Sequence, residues 1–289
     1  MIIRIANLNL ELNGKEKWFN NEYIEGFRYN ASTEKIDWIF NFYEINYNIQ
    51  NKNIIRNYYN RQVYRVNNAD CHKLRLSPND DDSFYIHNID EINKSDIYFN
   101  KTASNLLTTK LLDLLSFEKV LLTNDGIILH SSFIKYNDYA ILFSGPSGVG
   151  KSTQANLWIK FKDAEIINGD RSILRYIDNE WQVFGSPYCG SSEIFKNDQA
   201  KLKVIVVLEQ AKENKIEEMS VIEKYKFILS QIAVNTWNEE DMKKATTLIE
   251  NIINSVLIIK LKCLPDESAV DILHKYLEGD VINDGNGKS

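Results

Sequence analysis

The chain has 289 residues, of which 44% are hydrophobic and 26% are charged, a balance typical of soluble globular proteins. Its net charge of −6 argues against a nucleic-acid binder, and no apolar run reaches the roughly 18 residues that would cross a membrane. Three widely spaced cysteines favour neither a disulfide framework nor a zinc site, and the N-terminus lacks the features of a signal peptide, so we expect a cytoplasmic protein.

Residues 1–104 predict a small β-rich domain. Aromatic and β-branched side chains alternate there with polar ones, as they do in strands that bury one face. Its position before the rest of the chain suggests substrate recognition. The predicted elements are strands at 1–12, 36–49, 62–66 and 84–87 and a joining helix at 102–115.

Residues 105–278 predict a second domain of the α/β class, and residues 279–289 predict a flexible tail. A β-hairpin over 126–144 leads into a glycine-rich loop, and a helix follows at 154–161. Farther along the chain, the patterns predict strands at 164–170, 172–177, 181–184, 202–208 and 256–262, and helices at 222–236, 239–253 and 268–277.

The loop between the hairpin and this helix is a complete Walker A sequence, Gly-Pro-Ser-Gly-Val-Gly-Lys-Ser-Thr. Its glycines let backbone N–H groups converge on phosphate oxygens, Lys151 adds positive charge for the β- and γ-phosphates, and Ser152 offers a hydroxyl to Mg²⁺. ATP and Mg²⁺ are therefore the predicted cofactors, and the alternative is a loop that only makes a tight turn. The predicted phosphate-binding residues are Gly145, Pro146, Ser147, Gly148, Val149, Gly150, Lys151, Ser152 and Thr153.

Asp170 is the best candidate for a catalytic carboxylate. It ends a short predicted strand, where the carboxyl edge of an α/β sheet meets its ligand. It could hold Mg²⁺ together with Ser152 or accept the proton of an incoming hydroxyl, and the alternative is a helix cap or a surface turn. Glu209, after the strand at 202–208, is a second candidate for the metal. Arg171 suits a phosphate contact, whereas Arg175 is interpreted as structural.

A loop of small polar residues at 185–193 follows the predicted hairpin. Loops of this kind next to a catalytic sheet often close over a substrate, and the alternative is a structural connection. Cys189 has no histidine nearby in sequence, which argues against a nucleophilic role. The residues predicted to face substrate are Ser186, Tyr188, Cys189, Ser191, Ser192 and Glu193.

Leu129-His130-Ser131-Ser132, the hairpin and residues 142–153 closely resemble the catalytic domain of HPr kinase/phosphorylase. The resemblance implies a P-loop kinase of the HPr kinase/phosphoenolpyruvate carboxykinase type, built on a mixed sheet. It also implies phosphoryl transfer to a serine of a peptide or small protein, with Lys151, Asp170 and His130 as catalytic residues and His130 near the γ-phosphate. Such kinases form hexamers, so the resemblance allows a homo-oligomer.

Two departures separate this chain from HPr kinases. Gly169 stands where those kinases carry the first of two aspartates, and their downstream Arg-Gly-rich signature is missing, which argues against phosphorolysis and against HPr as substrate. The whole chain resembles HPr-kinase-like proteins found beside ribosomally made, modified peptides in bacteria. We therefore expect a peptide or protein serine kinase, with a small-metabolite kinase and a nucleotide-dependent binding module as alternatives.

Overall fold

A computed structural model describes residues 1–30, 34–47, 53–58, 60–66, 69–75, 83–89, 92–188 and 190–284. The chain forms two compact units, Met1–Val120 with Asn235–Glu239, and Leu121–Val234 with Glu240–Ser289. Among the described residues, no helix is both long and apolar enough to cross a bilayer. The division into domains after residue 104 stays a prediction, since compactness alone does not show which part folds independently.

The first unit contains one mixed sheet of eight strands, in the order β1-β2-β3-β8-β7-β6-β5-β4. The strand β3 pairs in parallel with both of its neighbours, and the other pairs are antiparallel. The strands are β1 (Ile2–Ile5), β2 (Leu8–Asn13), β3 (Trp38–Glu44), β4 (Ile54–Asn57), β5 (Arg61–Val66), β6 (Ala69–Arg75), β7 (Ser83–Ile89) and β8 (Lys94–Phe99). The first helices along the chain are α1 (Glu22–Glu25), α2 (Leu107–Leu114) and α3 (Phe117–Leu122).

The single strand predicted at 1–12 is wrong, because the chain turns back there as a hairpin. Ala6 and Asn7 both take left-handed φ angles, of 53° and 59°, which suits the twist of a two-residue hairpin turn. The buried apolar side chains change from odd positions before the turn to even positions after it, a break in the alternation that does not fit a single strand. The patterns also miss β4, β6, β8 and α3 and place the joining helix too early, since residues Ala103–Leu106 form a 3-10 turn.

The second unit contains a mixed sheet in the order β10-β9-β12-β13-β14-β16-β15, with β11 on β9. An additional parallel pairing of β10 with β14 closes a ring of neighbours through β9, β12 and β13. The strands are β9 (Gly126–Tyr136), β10 (Tyr139–Ser144), β11 (Glu165–Asn168), β12 (Arg171–Ile177), β13 (Glu180–Phe184), β14 (Gln199–Gln210), β15 (Lys215–Glu218) and β16 (Leu257–Cys263). The helices are α4 (Lys151–Lys162), α5 (Val221–Gln231), α6 (Glu239–Ser255) and α7 (Glu267–Asp284).

Alternate residues of β10 pack into two separate cores. Ile141 and Phe143 pack in one core with residues of α4 and α7, whereas Ala140 and Leu142 pack in the other with residues of α5 and α6. Because successive side chains of a strand point to opposite faces, the sheet lies between two helical layers. The predictions of an α/β unit and of a mixed sheet are confirmed.

Two predicted helix boundaries are wrong. The helix α5 ends at Gln231 rather than at 236, because Ile232 pairs with Leu129 and the Ala233 N–H donates to Ile128 O at 3.1 Å. The helix α7 continues to Asp284, past the start of the predicted tail at 279, and residues 285–289 lie outside the described part of the chain. The strand predicted at 164–170 ends at Asn168, and β15 was not predicted.

Candidate functional site

The Walker A loop leaves β10 and begins α4, in the order that phosphate binding requires. Gly148 and Gly150 have left-handed φ angles of 79° and 112°, and a Cβ added at either would meet nothing within 4 Å. In the described part of the chain, no side chain caps the start of α4, so its first N–H groups remain for an anion. This open, positively polarised cradle fits a polyphosphate.

The loop's exposed tip and its anchor have different surroundings. Pro146, Ser147 and Gly148 are exposed, whereas the half-buried Val149 lies under Gly145, whose added Cβ would be 2.9 Å from the valine side chain. Glycine at 145 is thus required for this close approach. At the other end of the loop, Ser152 and Thr153 present exposed side chains on the first turn of α4.

Lys151 is almost fully buried beneath the loop. Its Nζ donates to Gly145 O at 3.0 Å and to Pro146 O at 3.2 Å. Burial lowers the pKa of this ammonium, and the nearby Asp170 carboxylate raises it in part. Within the described part of the chain, the hydrogen bonds of this ammonium go to carbonyl oxygens, which a phosphate could replace.

Asp170 and His130 face each other at the edge of the sheet. His130 Nε2 lies 3.5 Å from Asp170 Oδ1, and Arg171 Nε lies 3.6 Å from Asp170 Oδ2. About a third of each of the His130 and Asp170 side chains is exposed, 36% and 32%, so both can meet a ligand. The pairing of His130 with Arg171 between β9 and β12 fixes this geometry in the backbone.

Burial, and next the charge of Lys151, lower the pKa of His130. Asp170 and a hydrogen bond with the Gln231 side chain oppose this shift. A histidine whose pKa lies below its ordinary value is neutral at neutral pH and can accept a proton. His130 is also tied to the Walker loop, since Ser144 Oγ at the end of β10 donates to His130 O at 2.7 Å.

Magnesium is compatible with the residues around the cradle. Mg²⁺ usually keeps several waters and takes one or two carboxylates together with substrate phosphates. Asp170 supplies one such carboxylate, and no group of three histidine, cysteine, aspartate or glutamate side chains suited to a metal occurs within the described ranges. Ser152 and Asp170 as metal ligands stay a prediction. The alternative ligand Glu209 has its carboxylate 3.6 Å from Lys260 Nζ and 3.8 Å from Lys262 Nζ.

Asn168 is a residue of the site that sequence reasoning missed. It is completely buried at the end of β11, and its side chain bonds both the turn that carries Asp170 and the loop around Ser186. In sequence, an asparagine before Gly-Asp resembles any turn former, and its second set of partners lies about 20 residues away. The signal in the sequence that could have identified Asn168 is its position two residues before Asp170.

Gly169 is explained by close packing against Ser192. A Cβ at Gly169 would lie 2.1 Å from Ser192 Oγ and 2.4 Å from Ser192 Cβ. Likewise, a Cβ at Gly190 would lie 2.8 Å from Asp170 Cγ. The turn at 190–192 therefore rests directly on Gly169 and Asp170. The space that a first aspartate side chain would need is occupied by Ser192.

The remaining residues of the predicted substrate loop have distinct surroundings. Ser186 is fully buried, and its hydroxyl donates to Arg171 O at 2.8 Å, so it joins the loop to the first residue of β12. The Tyr188 ring lies 5.3 Å from the Arg171 guanidinium. Glu193 is exposed with a left-handed φ of 54°. Cys189 and the side chain of Ser191 lie outside the described residues. The roles of these residues toward a substrate stay predictions.

Arg175, which we interpret as structural, bonds away from the site. Its Nε donates to Asn124 O at 3.0 Å. The neighbouring Arg171, in contrast, has a half-exposed side chain beside Asp170. Of the two arginines, Arg171 is therefore the one that a phosphate can reach.

Two cavities open beside these residues. The first, of 330 Å³, lies between His130, Asp170 and Arg171 on one side and the segment 230–233 on the other. The second, of 630 Å³, lies beside residues 146–149 and is lined by Met219, the C-terminal end of β14 and the N-terminal half of α5 with Phe227. The segment 230–233 was not predicted at the site, because helical periodicity continues past Gln231. The end of α5 there brings Gln231 to His130.

No family model and no curated protein matches the chain. Among solved structures, a similar one is that of the Hpr(Ser) kinase/phosphatase from Coxiella burnetii, with a TM-score of 0.31 and 13% sequence identity. The match covers 56% of this chain and 99% of that chain. A likeness this distant concerns the fold at most, and the chemistry of the site follows from the residues of this chain.

Proposed function

We propose that the chain is an ATP- and Mg²⁺-dependent kinase that transfers the γ-phosphoryl group to a hydroxyl, most favourably a serine of a peptide or small protein. The observation that carries the proposal is that two possible proton acceptors, His130 and Asp170, lie close together beside a complete Walker A loop. A phosphate loop binds nucleotides in many classes of protein. A neutral histidine 3.5 Å from a carboxylate adds what a hydroxyl acceptor needs.

The loop backbone and Lys151 bind the phosphates. The free N–H groups at the start of α4 and the buried ammonium provide fixed positive potential, which stabilises charge on the transferred group. MgATP supplies the phosphoryl group when bound, with Ser152 and Asp170 as the residues that would hold the metal. Arg171 lies beside Asp170 and can neutralise further phosphate charge.

Activation of the acceptor falls to Asp170 and His130. Asp170 aligns the hydroxyl, and its proton passes to the carboxylate or to the neutral imidazole beside it. Because His130 can take the proton, Asp170 need not accept it while it holds the metal and aligns the hydroxyl, and this compensates for the missing first aspartate at Gly169. The 330 Å³ cavity at His130 and Asp170 is the place for the acceptor.

The same residues support a proposal for the partner and for the compartment. An open cavity at the sheet edge suits a side chain that belongs to a longer chain, and we assign recognition of the rest of such a partner to the β-rich unit. Cys71 and Cys263 are free thiols, which fits the cytoplasm, where ATP is also found. We expect neither nucleic acid nor membrane as a partner, and a homo-oligomer is compatible with this function.

A nucleotide-dependent binding module is the second candidate, and Gly169 is the observation that favours it. Where a second carboxylate would stand, Ser192 fills the space. If Asp170 and His130 do not activate a hydroxyl, the Walker loop still binds ATP and can report its presence through the loop packed on Asp170.

The test is intact mass spectrometry of a serine-containing peptide library, of HPr and of free serine after incubation with MgATP. Lys151→Ala and Asp170→Asn are the site variants. Lys160→Ala, exposed on the same helix, and Asp178→Asn, exposed in the β12–β13 turn, are the matched controls. We expect one added phosphate with the wild type and both controls, none with Lys151→Ala, and only slow residual transfer with Asp170→Asn, at least about a hundredfold below the wild-type rate.

The outcomes separate the candidates. Transfer to peptide or HPr, but not to free serine, supports the protein kinase, whereas transfer to free serine alone supports the metabolite kinase. ATP binding that needs Lys151 without transfer to any acceptor overturns the kinase and supports the binding module. Transfer by Asp170→Asn at close to the wild-type rate refutes the role of the carboxylate.

A further inference from the structure

The side chain of Asn168 connects the two segments that border the site. We propose that Asn168 is the positioning residue that holds Asp170 and the loop at 186–188 as one unit, an inference that rests on the kinase function proposed here. Asn168 ends β11 and has no exposed surface, so it touches no substrate itself. It acts through the groups that it bonds.

One end of the Asn168 amide fixes the turn that carries Asp170. Its Oδ1 accepts the backbone N–H groups of Asp170 at 2.9 Å and Arg171 at 2.8 Å. An asparagine that accepts N–H groups two and three residues ahead closes a tight local turn. The direction in which the Asp170 side chain leaves the backbone is thereby set by Asn168.

The other end of the amide fixes the loop. Its Nδ2 donates to Ser186 O at 2.9 Å and to Tyr188 O at 2.7 Å, with Ser186 Oγ at 3.2 Å. Backbone N–H groups only donate and carbonyl oxygens only accept, so the orientation of the amide has a single solution. Asn168 thus joins a donor pair from one segment to an acceptor pair from the other.

The two segments also touch each other through groups that this amide aligns. Ser186 Oγ donates to Arg171 O at 2.8 Å, and the Tyr188 ring lies 5.3 Å from the Arg171 guanidinium. A shift of the loop would therefore move Arg171 and, with it, the neighbouring Asp170. Asn168 therefore affects the position of both segments and not only that of the turn at Asp170.

The Asp170 turn is held from its opposite side by β9. The Ser131 N–H donates to Asp170 O at 3.0 Å, and Ser132 Oγ donates to Gly169 O at 3.0 Å. These bonds remain when Asn168 is truncated, so the turn should stay folded but lose its second anchor. The expected result is a displaced carboxylate in an intact protein, and displacements of about 1 Å can cost about a hundredfold in rate.

The experiment is a double-mutant cycle on the kinetics of phosphoryl transfer. We expect Asn168→Ala to lower kcat about a hundredfold while the KM for ATP stays nearly unchanged. In the Asp170→Asn background, Asn168→Ala should lower kcat by less than about threefold, because the carboxylate that Asn168 positions has already been replaced by a neutral amide. The kcat of Asn168→Ser should lie between those of the wild type and Asn168→Ala, because a serine hydroxyl can also accept the N–H two residues ahead, but more weakly. Asn254→Ala, exposed on α6, is the control.

Amide exchange gives a readout that needs no activity. In Asn168→Ala the Asp170 and Arg171 amides should exchange about five- to tenfold faster than in the wild type. Unchanged exchange, or a full hundredfold loss in the Asp170→Asn background, overturns the proposal. If the wild type transfers no phosphate, the kinase function fails, while exchange still decides whether Asn168 holds the turn. If the alanine variant does not fold, the serine variant carries both measurements.

Discussion

The contact between Gly169 and Ser192 predicts a specific energetic coupling. Gly169 is not among the glycines with a positive φ, so a side chain there meets a steric problem rather than a backbone one. A Cβ would lie 2.1 Å from Ser192 Oγ and 2.4 Å from Ser192 Cβ, whereas the next atom, Ser192 Cα, is 3.9 Å away. Real Cβ atoms essentially never approach other atoms to less than 3.0 Å, so Ser192 must move when Gly169 becomes alanine.

We expect Gly169→Ala to lower the free energy of unfolding by about 1–3 kcal/mol, the usual cost of one methyl group too many in a packed site. Ser192→Gly removes both clashing atoms and leaves only the ordinary contact at 3.9 Å. In that background, Gly169→Ala should be neutral or stabilise by up to about 1 kcal/mol, because alanine restricts the unfolded chain. The coupling energy is therefore at least about 1 kcal/mol.

Urea unfolding followed by pulsed hydrogen exchange of peptides from β9 and β12 measures this coupling energy, because those peptides report the unfolding of only the unit that carries the site. Gly279→Ala is the control, because a Cβ there would meet nothing within 4 Å on an exposed part of α7. It should stabilise by up to about 1 kcal/mol. A coupling energy below about 0.5 kcal/mol would refute the packing of Ser192 on Gly169.

Three further predictions concern charge. Burial is the main cause that lowers the pKa of His72 to about 3, with Arg61 and Lys119 adding to it, and neither ring nitrogen has a partner among the described residues. Between pH 3 and the ordinary histidine pKa of 6.5, His72 therefore binds more protons in the unfolded state than in the folded state. The free energy of unfolding should then fall by about 2 kcal/mol when the pH is lowered from about 7 to 5. His72→Phe should reduce this pH dependence in urea titrations. Lys151→Ala should weaken ATP binding about ten- to a hundredfold in calorimetry, with Lys160→Ala unchanged. Because the pKa of His130 is lowered in the free protein, the acid limb of kcat/KM should lie below pH 6.5, and a limb that persists in His130→Asn would exclude this histidine as the base.

The sequence predicted those parts of the site whose chemistry depends on neighbours along the chain. The Walker loop required a preceding strand and a following helix, and β10 and α4 are both present. Asp170 was expected at the carboxyl end of a strand, and it lies two residues after β11. Both inferences depended on spacing within about 20 residues, where periodicity and motif order are informative.

Contacts between distant segments escaped the same reasoning. The reason for Gly169 is Ser192, 23 positions later, and Gln231 reaches His130 only because a strand-like bridge of Ile232 with Leu129 ends α5 early. Amphipathic periodicity continues through that point, so tertiary pairing overrides the local preference. The hairpin turn at Ala6 and Asn7 is a different case, since the apolar positions change there from odd to even, a local signal that the prediction of a single strand did not use.

Buried serines explain how three separate segments can form one site. Ser131, Ser144 and Ser172 are completely buried, with no exposed surface, where apolar side chains would be expected. Ser144 Oγ joins the end of β10 to His130, and Ser131 Oγ donates to Ser172 Oγ at 2.7 Å between β9 and β12. A hydroxyl is small enough for the strands to stay close and forms directed bonds that a methyl group lacks. The strands that lead to the Walker loop, His130 and Asp170 are therefore held together by short polar contacts within the sheet, and Asn168 adds the connection to the loop at 186–188.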